Sequence, residues 1–247
     1  MKVSKNTLFV FILMYLLTIP SIGQKNQLSI GAQIPLYYTI SYEENIFKGL
    51  NLGLTFGWLD KPFSNILIDE AIQRGLEQRL GELLKKQFSI GYSSQIYLKY
   101  NFKYFYAGAF YAATKITATE LPYTELADIY NIDISAITSS QYSFLINDPD
   151  LTSKLILPGI FVGKEFKIPN TQFSLGVEIG FQKIITSKSE IVFASSLLNG
   201  QDIQEVVQTQ LDDFYTKEGD IGSINIRFNY QFTKSIKGLF AKPTEKL

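Results

Sequence analysis

In the stretch Thr171 to Ile185, TQFSLGVEIGFQKII, every second residue is large and apolar: Phe173, Leu175, Val177, Ile179 and Phe181. Between them stand Ser174, Gly176, Glu178, Gly180 and Gln182. A period of two places the two sets on opposite faces of a strand. Such a strand has two uses. Its apolar face packs on a soluble core, or it meets lipid while the polar face lines a barrel.

The same alternation recurs along the chain. Gln27 to Ile34 sets Leu28, Ile30, Ala32 and Ile34 on one face, and Tyr37 to Glu43 does the same with Tyr38, Ile40 and Tyr42. Pro35 between them predicts a tight reversal and two strands; one long bent strand is the competing reading. Glu43-Glu44-Asn45 reads as a turn into Phe47 to Trp58, where Leu50, Leu52, Leu54, Phe56 and Trp58 alternate with small or polar residues. Further strands are expected at Phe88 to Phe102, Tyr104 to Ile116, Lys154 to Lys167 and Gly219 to Phe232. Within Tyr104 to Ile116, Phe105 and Tyr111 fall on the small-residue side, so the two faces are less distinct. Pro158 lacks a ladder donor and predicts a bulge or an early strand end.

Two segments between strands carry helical spacing. Ser64 is placed to cap a helix running to about Lys86, with Ile68, Ile72, Leu76, Leu80 and Leu83 or Leu84 as its apolar stripe. Lys85 and Lys86 close it, which suits the helix dipole. The stripe needs burial, so the helix is expected to cover a barrel mouth rather than lie on a membrane surface. A second pattern, Ile203, Val206, Val207, Leu211 and Phe214, falls inside the connection Ser187 to Lys217.

The strand count is eight with the Pro35 reversal and seven without it. Connections after Tyr42, Phe102 and Lys167 are short, whereas those after Trp58, Ile116 and Ile185 are far longer than ordinary loops. Short turns on one rim and long loops on the other is the plan of an outer-membrane barrel, and an even count puts both termini on the short-turn rim. Tyr42, Phe47, Phe102, Tyr104, Phe166 and Phe232 all lie at strand ends facing the short turns. They are expected to form an aromatic girdle at the headgroup level. On the polar side, Glu178 and Arg227 sit mid-strand, with Glu43, Lys99, Lys115 and Glu165 as candidates for the same lumen. An eight-stranded barrel is just wide enough for side chains to fill it, so these six are read as a structural ion-pair network. A proton path or ligand site is the competing reading.

The N-terminus has export chemistry. Lys2 and Lys5 precede the apolar run Leu8 to Ile19, which is too short for an ordinary spanning helix. Pro20 breaks the run, and Ser21-Ile22-Gly23 predicts cleavage before Gln24, so residues 1–23 are expected to be a signal peptide. Residues 24–233 then form the barrel and residues 234–247 a flexible tail. Removing Lys2 and Lys5 leaves 21 basic residues against 23 acidic, so there is no basic excess to hold nucleic acid.

With the signal ending SIGQ, the opening strand SIGAQIP, the strand end Tyr42-Glu43 and the closing strand INIRFNYQF, the chain resembles the small outer-membrane β-barrel family of Gram-negative bacteria, porin-like or OmpA-like. The likeness spans about Gln24 to Thr233. It implies an all-β fold: a single antiparallel, up-and-down, eight-stranded transmembrane barrel in the outer membrane, with long, partly helical loops on one rim. The implied partners are outer-membrane lipid and a protein reached through the long loops.

The chain contains neither cysteine nor histidine. That excludes a disulfide framework, a thiolate metal site, a lipoprotein anchor and His-based acid–base chemistry. Enzymes on small outer-membrane barrels typically rely on a histidine, so no enzyme and no cofactor is expected. Asp128 with Asp133, and Asp148 with Asp150, lack the ordered spacing of a calcium loop and read as solvated acids. Phosphate-binding glycine loops are absent. The expected function is a closed barrel that displays folded loops outside. The alternatives are a narrow transport pore and, lower, a soluble periplasmic barrel holding a lipid.

Overall fold

The computed structural model of the chain describes residues 26–131, 148–192 and 201–232. The signal segment, the tail beyond Phe232 and the loop positions Asp133, Ile134, Phe144 and Leu145 lie outside the described residues. Strands β1 (Asn26–Ile34), β2 (Tyr37–Phe47), β3 (Leu50–Leu59), β4 (Phe88–Asn101), β5 (Tyr106–Ala118), β6 (Asp150–Lys167) and β7 (Phe173–Lys183) follow one another as antiparallel neighbours. β8 (Thr186–Val192) comes next, and β9 (Asp220–Phe232) closes the ring by pairing with both β7 and β1. The result is a closed, antiparallel, eight-stranded barrel with β8 as an extension. Closure pairs every ladder edge, and this is the one way a sheet can stand in lipid.

Pro35 does reverse the chain: Leu36 N–H donates to the Gln33 carbonyl at 2.6 Å, and β1 and β2 pair from Gln33↔Tyr37 onward. The next turn lies further along than Glu43-Glu44-Asn45. β2 runs to Phe47 through a bulge, and Gly49 at φ +77° makes the reversal.

Pro158 neither ends nor bulges its own strand, because β6 stays in register with β5 through Tyr111↔Pro158. The irregularity falls on the facing strand instead. Between Gly159↔Gln182 and Ile156↔Thr186 the β7–β8 side holds one extra residue, a bulge. The Ile156 carbonyl accepts from Ile185 N–H, so by strand alternation Pro158 turns its donorless nitrogen toward that bulge. β8 lies in what the sequence presents as a long connection, since TSKSEIV is mostly polar.

The first helical segment is two helices, α1 (Phe63–Gln73) and α2 (Gln78–Gln87), broken at Gly75, whose φ of +110° few other residues adopt. Ser64 is not the cap. The helix starts upstream, with Pro62 at the N-cap, and the Ser64 side chain makes no capping bond. A short α3 (Tyr123–Ile129) and a long α4 (Gln201–Glu218) complete a cap over the long-loop rim. The cap has its own apolar core: Leu80 and Leu83 of α2, Leu126 of α3, and Val207 and Leu211 of α4 pack on Leu151 and Ile191. The Ser64–Lys86 region thus covers the barrel mouth.

Candidate functional site

Strand alternation sends Glu43, Asn51, Tyr97, Lys99, Tyr106, Glu178 and Arg227 into the lumen, where all of them are buried. Register sets their heights. Asn51 pairs with Lys99 directly, and Gly53 of the same strand faces both Glu43 and Tyr97. A Cβ on Gly53 would lie 2.0 Å from the Tyr97 ring, so glycine there makes room for the ring.

Two ion pairs result. Lys99 Nζ lies 2.6 Å from Glu43 Oε1, and the same carboxylate accepts from Asn51 Nδ2 at 2.8 Å and from the Tyr97 hydroxyl at 3.0 Å. Across the barrel, Arg227 Nη2 is bonded to Glu178 Oε1, and Asn225 Nδ2 donates to Glu178 Oε2 at 2.7 Å. Tyr106 links them: its hydroxyl accepts from Arg227 Nη2 at 3.4 Å, and Lys99 Nζ stands 4.7 Å from its ring centroid. The chain of contacts runs from β2 and β4, past β5, to β7 and β9.

Above this layer the lumen turns apolar. Tyr97, Tyr106 and Phe110 surround Phe161, with ring centroids 5.9–6.3 Å apart, and Leu155, Leu157 and Ile184 pack over them. The Tyr37 hydroxyl reaches Thr114 Oγ1 at 2.9 Å, and Thr114 Oγ1 donates to Ser93 at 3.1 Å. Below the ion pairs, Glu165 accepts from Ser174 Oγ and, at 2.9 Å, from Gln231 Nε2. It has polar partners but no cation among the described residues.

Lys115 is elsewhere. It is exposed and stands outward between Tyr92 and Lys154. The reason is that β5 turns Tyr106 and Phe110 inward and shows Ala107, Ala109 and Ala113 outside, with Tyr111 on that same outer face. The small residues that make room for those rings are glycines on the neighbouring strand β6: a Cβ on Gly159 would meet Phe110 at 2.2 Å, and one on Gly163 would meet Tyr106 at 2.7 Å. Sequence reasoning takes small residues as lumen-facing throughout, and β5 reverses the rule.

The six aromatics expected to form the girdle cluster at the short-turn rim. Phe47, Phe102, Tyr104 and Phe166 are exposed there, and Tyr42 lies 6.4 Å from Phe232. A second aromatic row stands at the other rim, unforeseen from the sequence. Tyr38, Trp58 and Tyr92 are cross-strand neighbours, and Phe63 sits 4.8 Å from Tyr38. Trp58, the chain's sole tryptophan, was its available signal. Leu50 and Trp58 stand eight residue steps apart on β3, roughly 27 Å of strand and about 20 Å once tilted, the scale of a lipid-facing band. That band is apolar and bare: Leu28, Ile30, Phe56, Ile160 and Ile179 are each 45 to 65 % exposed.

The loop acids have structural partners. Asp148 accepts from Tyr123 N–H at 3.1 Å and Asp150 from Glu120 N–H at 3.0 Å. Among the described residues, no three carboxylates gather to hold a metal ion. No helix among them is long and apolar enough to cross a membrane, which leaves crossing by strands untouched.

A closed ring with a polar interior, a bare apolar belt and aromatic rims is a membrane-spanning β-barrel. Its eight strands, short turns on the termini's rim and long loops opposite make it a barrel of the outer-membrane type. No protein-family model and no curated protein matches the chain. Three solved structures are similar in fold. The N-terminal β-barrel domain of Pseudomonas aeruginosa OprF has 8% identity and a TM-score of 0.41 over 85% of this chain and 96% of that one. A major outer membrane protein from Thermus thermophilus has 12% identity and a TM-score of 0.45 over 85% and 100%. Acinetobacter baumannii CarO has 10% identity and a TM-score of 0.35 over 85% and 98%.

Proposed function

We propose that this outer-membrane barrel is a structural or interaction protein: its lumen is plugged, and it holds a folded helical cap outside the cell. The observation that carries this reading is the continuous row of contacts from Lys99–Glu43 through Tyr106 to Arg227–Glu178, with Phe110 and Phe161 packed above it. A solute crossing the barrel would have to break both layers. The six rim aromatics act as a girdle in the headgroup region. The protein works without catalysis, and its partners are outer-membrane lipid and a protein that meets the cap.

One observation favours a second reading, a narrow water-conducting lumen. Arg227 Nε, Asn225 Oδ1 and Asn229 Oδ1 are buried without a hydrogen-bond partner among the described residues, and a void of about 10 Å³ beside Arg227 and Glu178 has room for a single water. Planar-bilayer conductance separates the two. The unaltered protein is expected to show no steps, and Arg227→Ala with Glu178→Ala to open a small conductance. Substantial conductance in the unaltered protein overturns the plugged reading.

A further inference from the structure

Between the apolar lumen and the helical cap lies a cavity of about 430 Å³. This is within the range of about 300–1,000 Å³ that holds small-molecule ligands. Its floor is Leu155, Leu157 and Ile184, the top of the packed rings, with Tyr37 beside them, so it is a dead end rather than a channel. Its roof is α1 and α4, with Leu67, Ala71 and Phe214 among the lining residues.

Two features point to an occupant. The first is Ser64, which lines the cavity and is 1 % exposed, yet its Oγ has no hydrogen-bond partner among the described residues. A buried hydroxyl without a partner costs about 1–3 kcal/mol, so the site is short of one polar atom. The second is the mouth between the end of α1 and the start of β9. Arg74 spans it, donating to the Asp220 carbonyl at 2.6 Å and pairing with Glu70 at 2.8 Å. Its guanidinium is thus already engaged. Among the described residues the remaining charges there are Glu218 and Asp220, with Lys183 3.4 Å from Asp220. Three carboxylates against two cations disfavour an anionic headgroup.

We infer that this cavity is a binding site for a neutral, long-chain amphiphile, its chain among the leucines and its single hydroxyl or carbonyl on Ser64 Oγ. The site is independent of whether the lumen conducts, since it sits above the packed rings.

The test uses the whole protein in phosphatidylcholine nanodiscs and a hexadecanol probe carrying a tail diazirine. Photolabelling is expected on peptides of α1 and α4. Ala71→Phe, which fills the cavity, is expected to lower that labelling at least fivefold while heat-modifiable migration on a gel stays unchanged. Ser64→Ala, which keeps the fold and the space, is expected to weaken half-saturation about threefold to tenfold, one neutral hydrogen bond's worth. Labels confined to lipid-facing strand residues, or labelling of α1 and α4 that Ala71→Phe leaves unchanged, overturn the site. Equal labelling by the matching hexadecanoate probe overturns the preference for a neutral ligand.

Discussion

The barrel wall and the cap solve the same problem with opposite signs. In the membrane zone, polar groups go inside and apolar ones outside: Arg227 and Glu178 are buried while Ile179 and Ile226 are exposed. In the cap the order is the ordinary one, with Leu80, Leu126 and Val207 fully buried. The changeover is gradual. Going up the lumen, Glu43 and Lys99 give way to Phe110, Phe161 and Leu157, and then to the cavity under α1. What changes is the solvent outside. Lipid gives the wall no reason to hide apolar residues, so its interior needs side chains that hold each other by charge and hydrogen bond. Water above the membrane restores the hydrophobic effect, and the cap folds around leucines.

This contrast breaks first at the ion pairs. Arg227→Ala leaves Glu178 buried with a lost charge partner, and the expected loss is about 3–5 kcal/mol. Arg227→Ala with Glu178→Ala is expected to cost much less than the two single changes summed, because neither charge is then stranded. Denaturant unfolding in detergent, followed by gel mobility, measures both. Equal and additive losses would mean that the pair contributes only packing.

The cap should break differently. Leu80→Ala empties a fully buried site, for which about 2–5 kcal/mol is expected. Because the cap core and the lumen layers are distinct clusters that meet at Tyr215, the loss should show as faster hydrogen exchange in α1 to α4, with the strands of the membrane zone unchanged. Exchange that rises equally in β1 and β9 would make cap and wall one cooperative unit.

Val177 is the middle residue of the outward row Phe173 to Phe181. Val177→Arg is expected to cost about 2–4 kcal/mol in a bilayer. A soluble surface would accept the same arginine almost freely. An unchanged stability in liposomes would therefore remove this row from the lipid.

How far each region could be read from the sequence follows the same division. The wall was legible because lipid outside and polar groups inside impose period two on every strand, and Glu178 and Arg227 announced themselves as charges in mid-strand. Lys115 and the reversed β5 were not legible. A face lined with Ala107, Ala109 and Ala113 looks like a lumen face until register with β4 and β6 shows which side the rings Tyr106 and Phe110 fill. The Glu43–Lys99 pair needed the same information, since the two residues lie on strands that do not touch and meet across β3. In the cap, helical spacing located the apolar stripe but not its break. Gly75 ends α1 through a positive φ, a backbone fact that periodicity does not carry. Ser64 suits a cap by residue type alone; the Asp60–Pro62 turn, where Asp60 Oδ1 accepts from Lys61 N–H at 2.7 Å, starts the helix earlier.

The smallest expected effect separates cap from wall by pH alone. Burial pushes the phenols of Tyr130 and Tyr215 above their ordinary value. Tyr130 donates to Gln210 of α4 at 2.5 Å, and Tyr215 lies on α4 beside Ser153. A raised phenol favours the folded cap while protonated. The stabilisation is complete below the unfolded value near 10 and is lost as pH climbs from there toward the folded value. Lys85, held up by its bond to Asp69, adds in the same direction, weakly because the pair stands at the surface with Asp69 exposed. Raising the pH from about 8 to about 11 is thus expected to loosen α4. The measurement is amide exchange, corrected for its intrinsic pH dependence, on the protein with Tyr130→Phe and Tyr215→Phe as the control. If that variant loosens as much as the parent, the alkaline weakness belongs to the wall and not to the cap.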